Sequence, residues 1–396
     1  MRFLEKIFFF LLIFFLPTQI GLHLWPNWSF VAGIRVDYLS PTIYLTDLLI
    51  LGILLTSFVN RGWYKKRKFL VVVAGLLVFA IINSLWALNP AASILKWGKV
   101  LELTLLACYM ISSNRGRVKT LIVKALPFSI VIFALIGFLQ IIFQETLGGP
   151  LYYLGERSFS ATTPGIALYD IFGKLLLRPY STFPHPNVFG AYMFLTTLMF
   201  VVLKNKKSRW DCLVVLIGFL ASALSGSLAV YLGAVVVLSL IFLGKSGKGL
   251  TKLIPTAAIL LSFAFLFLSS QPLPQKFSET IEKRILLARV SATMVSKSPF
   301  LGVGFNNFIV NLPVYAAKDS SLWILQPVHN IFLLTFVETG IFGLLLLGFL
   351  FQRTLSKTFP LTLAVVFVLV TGMFDHYWLT LQQPQILFAL LVGLLW

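Results

Sequence analysis

Long apolar runs, parted by short basic clusters, set the organisation of this chain. The runs fall at about 7–24, 42–59, 69–87, 94–111, 121–143, 187–203, 212–226, 228–244, 253–270, 329–351, 358–375 and 384–396. Most are long enough for a helix rising ~1.5 Å per residue to cross ~30 Å of hydrocarbon. Their apolar residues follow no strong one-sided period, as expected of helices with lipid on one side and protein on the other. The pattern predicts an all-α, polytopic integral membrane protein, a single domain over residues 1–396 with about twelve transmembrane helices. Two longer polar stretches, 144–186 and 271–328, are the predicted large external loops.

The second loop carries its own periodicity. From Gln275 to Ser298, the residues Phe277, Ile281, Ile285, Ala292 and Val295 share one side of a helix, while Glu279, Glu282, Lys283 and Arg284 mostly avoid it. This predicts an amphipathic helix on the outer membrane surface or on the rim of the protein. Arg289 follows Ile285 by four residues and so falls ~40° from it on the wheel. The spacing aims a guanidinium at the apolar side, where it needs an anionic partner.

Composition and charge give the orientation. A chain 58% hydrophobic and only 11% charged, with mean hydropathy +0.92, is not a soluble globular domain. The net charge of +19 is unevenly spread. Basic clusters beginning at Arg2, Arg61, Arg115, Lys204, Lys245 and Arg353 hold most of the lysines and arginines, against the acids Glu5 and Asp211. Asp37, Glu145, Glu156, Asp170, Glu279, Glu282 and Asp319 fall in the other segments. Positive charge on alternate connections puts both termini in the cytoplasm and the two large loops outside. The basicity therefore reports orientation, and nucleic acid is not an expected partner. The first run is read as a retained helix, since no small-residue cleavage site follows it. Cys108 and Cys212 lie inside apolar runs and form no external disulfide framework. No P-loop, GxGxxG or CxxC pattern appears, so no nucleotide cofactor is expected.

Groups able to do chemistry gather at the outer ends of the runs. Arg178 sits in a stiff, proline-bracketed segment, Leu177-Arg178-Pro179-Tyr180-Ser181-Thr182-Phe183-Pro184-His185-Pro186-Asn187. Pro186 suits the first position of a helix, where its missing N–H is no loss. His329 and Asn330 open the tenth run, and a helix N-terminus disfavours a protonated imidazole, leaving a neutral ring able to accept a proton. His23, His185, His329 and His376 all map to outer ends or loops. In the fourth run Lys99 can pair with Glu102, and with Lys96 it could assist an anionic lipid. Glu338 lies nine residues past His329, too far round and along the helix to orient its ring. Asp47 is expected to cap or pair, and Arg35 to pair with Asp37.

Four stretches, in this order, resemble the O-antigen ligase family, broadly the ligase and polymerase group. They are RPYSTFPHPNVFGAY from Arg178 to Tyr192, Ser225-Gly226-Ser227, ARVSATMVSKSPFLGVGFNNF ending at Phe308, and HNIFLLTFVETGIFG from His329 to Gly343. The resemblance implies a GT-C-like, membrane-embedded glycosyltransferase of the inner membrane, working on its external face without cofactor or metal. It implies an undecaprenyl diphosphate-linked glycan as donor and a glycan or lipid as acceptor. Carried over residue by residue, Arg289 would bind the diphosphate and His329 would be the base, with His185, Asn187, Asn330 and Lys99 in support. The family usually has an arginine after the Ser-Gly-Ser turn, where this chain has Leu228. Arg178 is then expected to supply the charge from the neighbouring loop. A polymerase extending lipid-linked repeats is the alternative function, ahead of a transporter or a catalytically silent scaffold.

Overall fold

A computed structural model describes residues 3–61, 67–206, 208–250, 254–269, 279–315, 324–355 and 359–396. Parts of the second predicted loop, including Phe277, lie outside the described residues. Helices dominate, in the order α1 (Phe3–Phe15), α2 (Leu45–Arg61), α3 (Arg67–Leu85), α4 (Pro90–Ser112), α5 (Arg115–Phe143) and the short α6 (Pro150–Tyr153). Then come α7 (Pro186–Leu203), α8 (Arg209–Ala223), α9 (Leu228–Leu250), α10 (Ile254–Ser269), α11 (Glu279–Lys297) and α12 (Phe308–Tyr315). The chain closes with α13 (Ile331–Leu355), α14 (Thr362–Gly372), α15 (Tyr377–Thr380) and α16 (Gln382–Leu395).

Among the described residues, α5, α7 and α13 are long and apolar enough to cross a membrane. Leu45–Phe58, Phe69–Leu85, Leu228–Gly244, Thr362–Gly372 and Gln382–Leu395 are shorter apolar helices. The protein is thus mostly helical and consistent with a membrane protein. The all-α expectation needs one correction. Strands β1 (Gly21–His23) and β4 (Thr42–Tyr44), β2 (Phe30–Val31) and β3 (Ile34–Arg35), and β5 (Leu168–Ile171) and β6 (Lys174–Leu177) form three antiparallel pairs. They occupy the connections, where short hairpins satisfy backbone groups that leave the helices. The first run is also shorter than its apolar length suggests. Pro17 donates no N–H, and the Thr18 hydroxyl takes up the carbonyl of Phe15 at 2.8 Å, so α1 stops there.

Helix α7 packs against α5 and α8, α14 against α9, α16 against α4, and α1 against α2 and α5. Phe189, Met193, Phe200, Phe367 and Leu391 are fully buried in the resulting core. The late helices therefore close against the early ones, bringing the connections after α1, α5, α12 and α14 to one end.

A turn wedged into a broken helix fixes part of that end. Helix α13 is interrupted at Gly340 (φ 65°, ψ −166°). The freed backbone is taken up by residues 299–303: Ile341 N–H donates to Pro299 O at 2.9 Å, and Val303 N–H to Val337 O at 2.8 Å. Gly302 (φ 70°) lies against this break, so close that a Cβ there would stand 2.5 Å from the Val337 carbonyl oxygen. Only glycine combines that conformation with that approach. The Asn83 amide then ties α3 to the wedge, donating to Leu301 O (2.8 Å) and Glu338 O (3.0 Å) and accepting from Trp97 Nε1 (2.9 Å) and Phe305 N (2.8 Å). Glu338 accepts from Phe308 N–H at 3.1 Å, so its carboxyl serves this wedge.

Candidate functional site

The site begins at the N-terminus of α7. Pro186 holds the first turn, and His185 caps it with Nδ1 accepting from the Asn187 N–H at 3.1 Å. Arg178 emerges from β6 and spans to the next turn of chain. Its Nε donates to Ser225 O at 2.8 Å and an Nη to Asn187 Oδ1 at 2.9 Å. The Asn187 amide passes the connection on, donating to Asp375 Oδ2 at 3.2 Å. Asp375 Oδ1 accepts from the His376 N–H at 2.8 Å, and His376 Nδ1 lies 2.8 Å from Thr380 Oγ1. One hydrogen-bonded path thus joins Arg178, Asn187, Asp375 and His376, drawn from α7 and the α14–α15 connection.

His329 joins this path from the segment before α13. Its ring meets His376 edge-on, with centroids 5.1 Å apart, and Tyr38 meets His376 the same way at 5.5 Å. Asn330 is the cap of α13: Oδ1 accepts from the N–H groups of Phe332 (2.9 Å) and Leu333 (3.0 Å). Its amide donates to Ser262 Oγ and Met373 O, so Asn330 is buried structure and does not line the site. His329 Nδ1, by contrast, is buried with no hydrogen-bond partner among the described residues.

These groups open on one cavity of about 1590 Å³. Arg178, His185, Asn187, His329, Asp375 and His376 line one part of it, with Lys283 and Arg284 reaching in from α11. Arg284 makes no ion pair among the described residues. A second part is lined by Lys96, Lys99 and Glu102 of α4. Lys99 is neutralised there, 2.7 Å from Asp47 and 2.9 Å from Glu102, while Asp47 also accepts from Tyr44 N–H at 3.0 Å. The expected Arg35–Asp37 pair is present at 3.8 Å and exposed.

Arg289 is exposed and absent from the cavity lining, and the helix explains why. The buried residues of α11 are Ile285, Leu287, Ala288, Val290, Ser291 and Met294. At ~100° per residue their face is centred near Leu287, Ser291 and Met294, and Arg289 falls close to the opposite side. The predicted stripe through Ile281 and Ile285 follows the edge of this face; Ile281 is exposed. Lys283 and Arg284 lie on the buried side, the reverse of the expectation. Leu228, 77% exposed, also lies outside the lining, and the cation beside the Ser225-Gly226-Ser227 turn is Arg178.

Burial keeps the imidazoles neutral. It lowers His376 to about 3 and His185 to about 4 against the pull of the Asp375 carboxylate, and it lowers His329 as well. Burial opposes ionisation of Asp375 too, and the Asn187 amide hydrogen bond works against that effect. The arrangement offers cations for an anion and neutral rings for a proton. Sequence reasoning missed Lys283, Arg284 and Asp375 and left His376 without a role. An Asp-His pair placed where an apolar run ends was the available signal for two of them.

No curated protein matches the chain. Residues 213–348, which contain the Ser-Gly-Ser turn, the Arg289–Phe308 stretch and the His329–Gly343 stretch, match the family model of the O-antigen ligases.

Proposed function

We propose that the cavity is a glycosyl-transfer site of ligase or polymerase type on the external face of the inner membrane. In this reading about twelve helices cross the bilayer, both termini are cytoplasmic, and the 144–186 and 271–328 segments are external. The donor is a glycan on undecaprenyl diphosphate, and the acceptor is a hydroxyl of a lipid or another glycan. The observation that carries the reading is the convergence of Arg178 and Arg284 with His185, His329, His376 and Asp375 on one cavity.

The chemistry suits those groups. A glycosyl diphosphate already holds a good leaving group, so nothing in the reaction calls for ATP or for a metal. Guanidiniums bind its oxygens through charge-assisted bonds and stabilise the charge that grows as the bond to the sugar breaks. Arg284 takes the place that the resemblance implied for Arg289, and Arg178 stands in for the cation missing at Leu228. A neutral imidazole takes the acceptor proton, with His329 the ring that the motif nominates. Displacement in one step inverts the anomeric carbon.

The test is transfer in proteoliposomes from undecaprenyl diphosphate-linked glycan, comparing the parent with Arg178→Ala, Arg284→Ala and His329→Ala. Each variant is expected to remain folded and to lose most transfer. Transfer unaffected by both arginine changes would reject the site. Lengthening of the lipid-linked glycan with no other acceptor identifies a polymerase, and its absence a ligase.

A further inference from the structure

The three imidazoles around Asp375 are not equivalent, because their surroundings fix where each carries its hydrogen. His185 Nδ1 accepts the Asn187 N–H, so the neutral ring is protonated on Nε2. His376 is held the other way. The Thr380 hydroxyl lies 2.8 Å from His376 Nδ1 and 3.2 Å from the His376 carbonyl oxygen. One assignment uses both contacts: the hydroxyl donates to the carbonyl and accepts from Nδ1–H, which leaves Nε2 with a bare lone pair. His329 Nδ1 is buried and has no partner among the described residues. An orphaned buried N–H is rarer than an orphaned acceptor, so its hydrogen also belongs on Nε2. A base needs a bare nitrogen open to the cavity and an anion needs an N–H; the bare Nδ1 of His329 is buried and that of His185 is taken by Asn187, so only His376 among the three offers the first.

Resting on the transfer reading above but moving the base from His329, we infer that His376 is a further catalytic residue, whose Nε2 takes the acceptor's proton while His185 and His329 donate Nε2–H to the diphosphate. The acceptor oxygen forms the bond to the anomeric carbon. The bond from that carbon to the diphosphate breaks, and its electron pair leaves on the diphosphate oxygen. The proton of the acceptor hydroxyl passes to His376 Nε2, giving an imidazolium whose Nδ1–H stays on Thr380 and whose charge faces Asp375. Water removes the proton after the product departs. Burial depresses the basicity of the empty site, and the negative charge of a bound diphosphate raises it when a base is wanted. Asn187 links Arg178 to Asp375 and so couples the anion-binding side to the base.

Two measurements on the full chain in nanodiscs test this. With ¹⁵N-labelled histidine the four rings can be assigned by single His→Gln variants, and their nitrogen shifts report the tautomers directly. Nδ1–H is expected at His376, and Nε2–H at His185 and His329. Thr380→Val should release His376 into a mixture, and Thr380→Ser should restore it. Transfer is then followed with lipid-linked glycans and membrane acceptors extracted from the native host. His376→Gln is expected to lower kcat by ~10²–10⁴-fold with the donor KM within ~3-fold, whereas His185→Gln raises the donor KM. Nε2–H at His376, or His376→Gln transferring within ~3-fold of a working parent, overturns the inference alone. A parent that transfers nothing overturns the functional reading, and the inference with it.

Discussion

The wedge at the Gly340 break and the imidazole–arginine cavity treat polar groups in opposite ways. In the wedge the polar side chains are paired: Asn83 uses both ends of its amide, Asn307 Oδ1 accepts from Asn89 N–H at 2.7 Å, and Glu338 takes the Phe308 N–H. In the cavity the reverse holds. His329 Nδ1 has no partner and Arg284 no counter-ion among the described residues. Both regions come from stretches with family-like motifs. Satisfied groups hold a shape, and groups left open await a ligand. The most glycine-rich motif here is therefore architecture, and the chemistry sits beside it.

The largest effect that separates the two regions comes from the wedge glycines. A Cβ at Gly340 meets the Phe300 carbonyl, and one at Gly302 meets Val337 and Glu338 backbone, each at a φ that side chains avoid. Gly340→Ala or Gly302→Ala should destabilise by more than ~3 kcal/mol, since neither neighbour is a movable side chain. Little monodisperse protein should survive extraction. Asn83→Ala comes next. It strands the Phe305 N–H and the Trp97 indole together with two carbonyls, costing about 2–4 kcal/mol, read as a lower Tm in nanodiscs. Arg284→Ala should leave Tm unchanged and reduce transfer by ~10²–10³-fold, as expected for loss of a donor to developing charge. Arg289→Ala should stay within ~3-fold of the parent by the same standard. Equal losses at the two arginines would put the anion site elsewhere on α11.

Periodicity and charge carried much of this, for identifiable reasons. Apolar length marks helices whatever packs against them, so α5, α7 and α13 were visible in the runs at 121–143, 187–203 and 329–351. Pro186 and Asn330 could be placed at helix starts because capping is local chemistry. The face of α11 was not, because its buried side is defined by Leu287, Ser291 and Met294 packing on distant chain, and a serine there carries no apolar signal. The link from Asn187 to Asp375 spans 188 positions and depends on how α7 meets the end of α14. No local pattern encodes such a meeting.

The finest test uses proton affinity, because the cavity, unlike the wedge, must change charge to work. The imidazoles have pKa values lowered from 6.5, by burial first, with Asp375 raising all three and Arg284 lowering His329 and His376. A ring whose folded pKa is depressed stays neutral as pH falls below 6.5, so the acid limb of kcat/KM should lie below that value. Bound diphosphate adds negative charge, so the acid limb of kcat should lie at higher pH than that of kcat/KM. Two substitutions should then move the kcat/KM limb in opposite directions. Asp375→Asn removes the carboxylate that favours protonation and should shift the limb to lower pH. Arg284→Gln removes a cation that opposes protonation and should shift it to higher pH. Arg178 and Arg157, and not Arg284, lower His185, so a limb that Asp375→Asn moves and Arg284→Gln leaves in place would point to His185 as the titrating group. A limb that neither variant moves would place the titrating proton outside this cluster altogether.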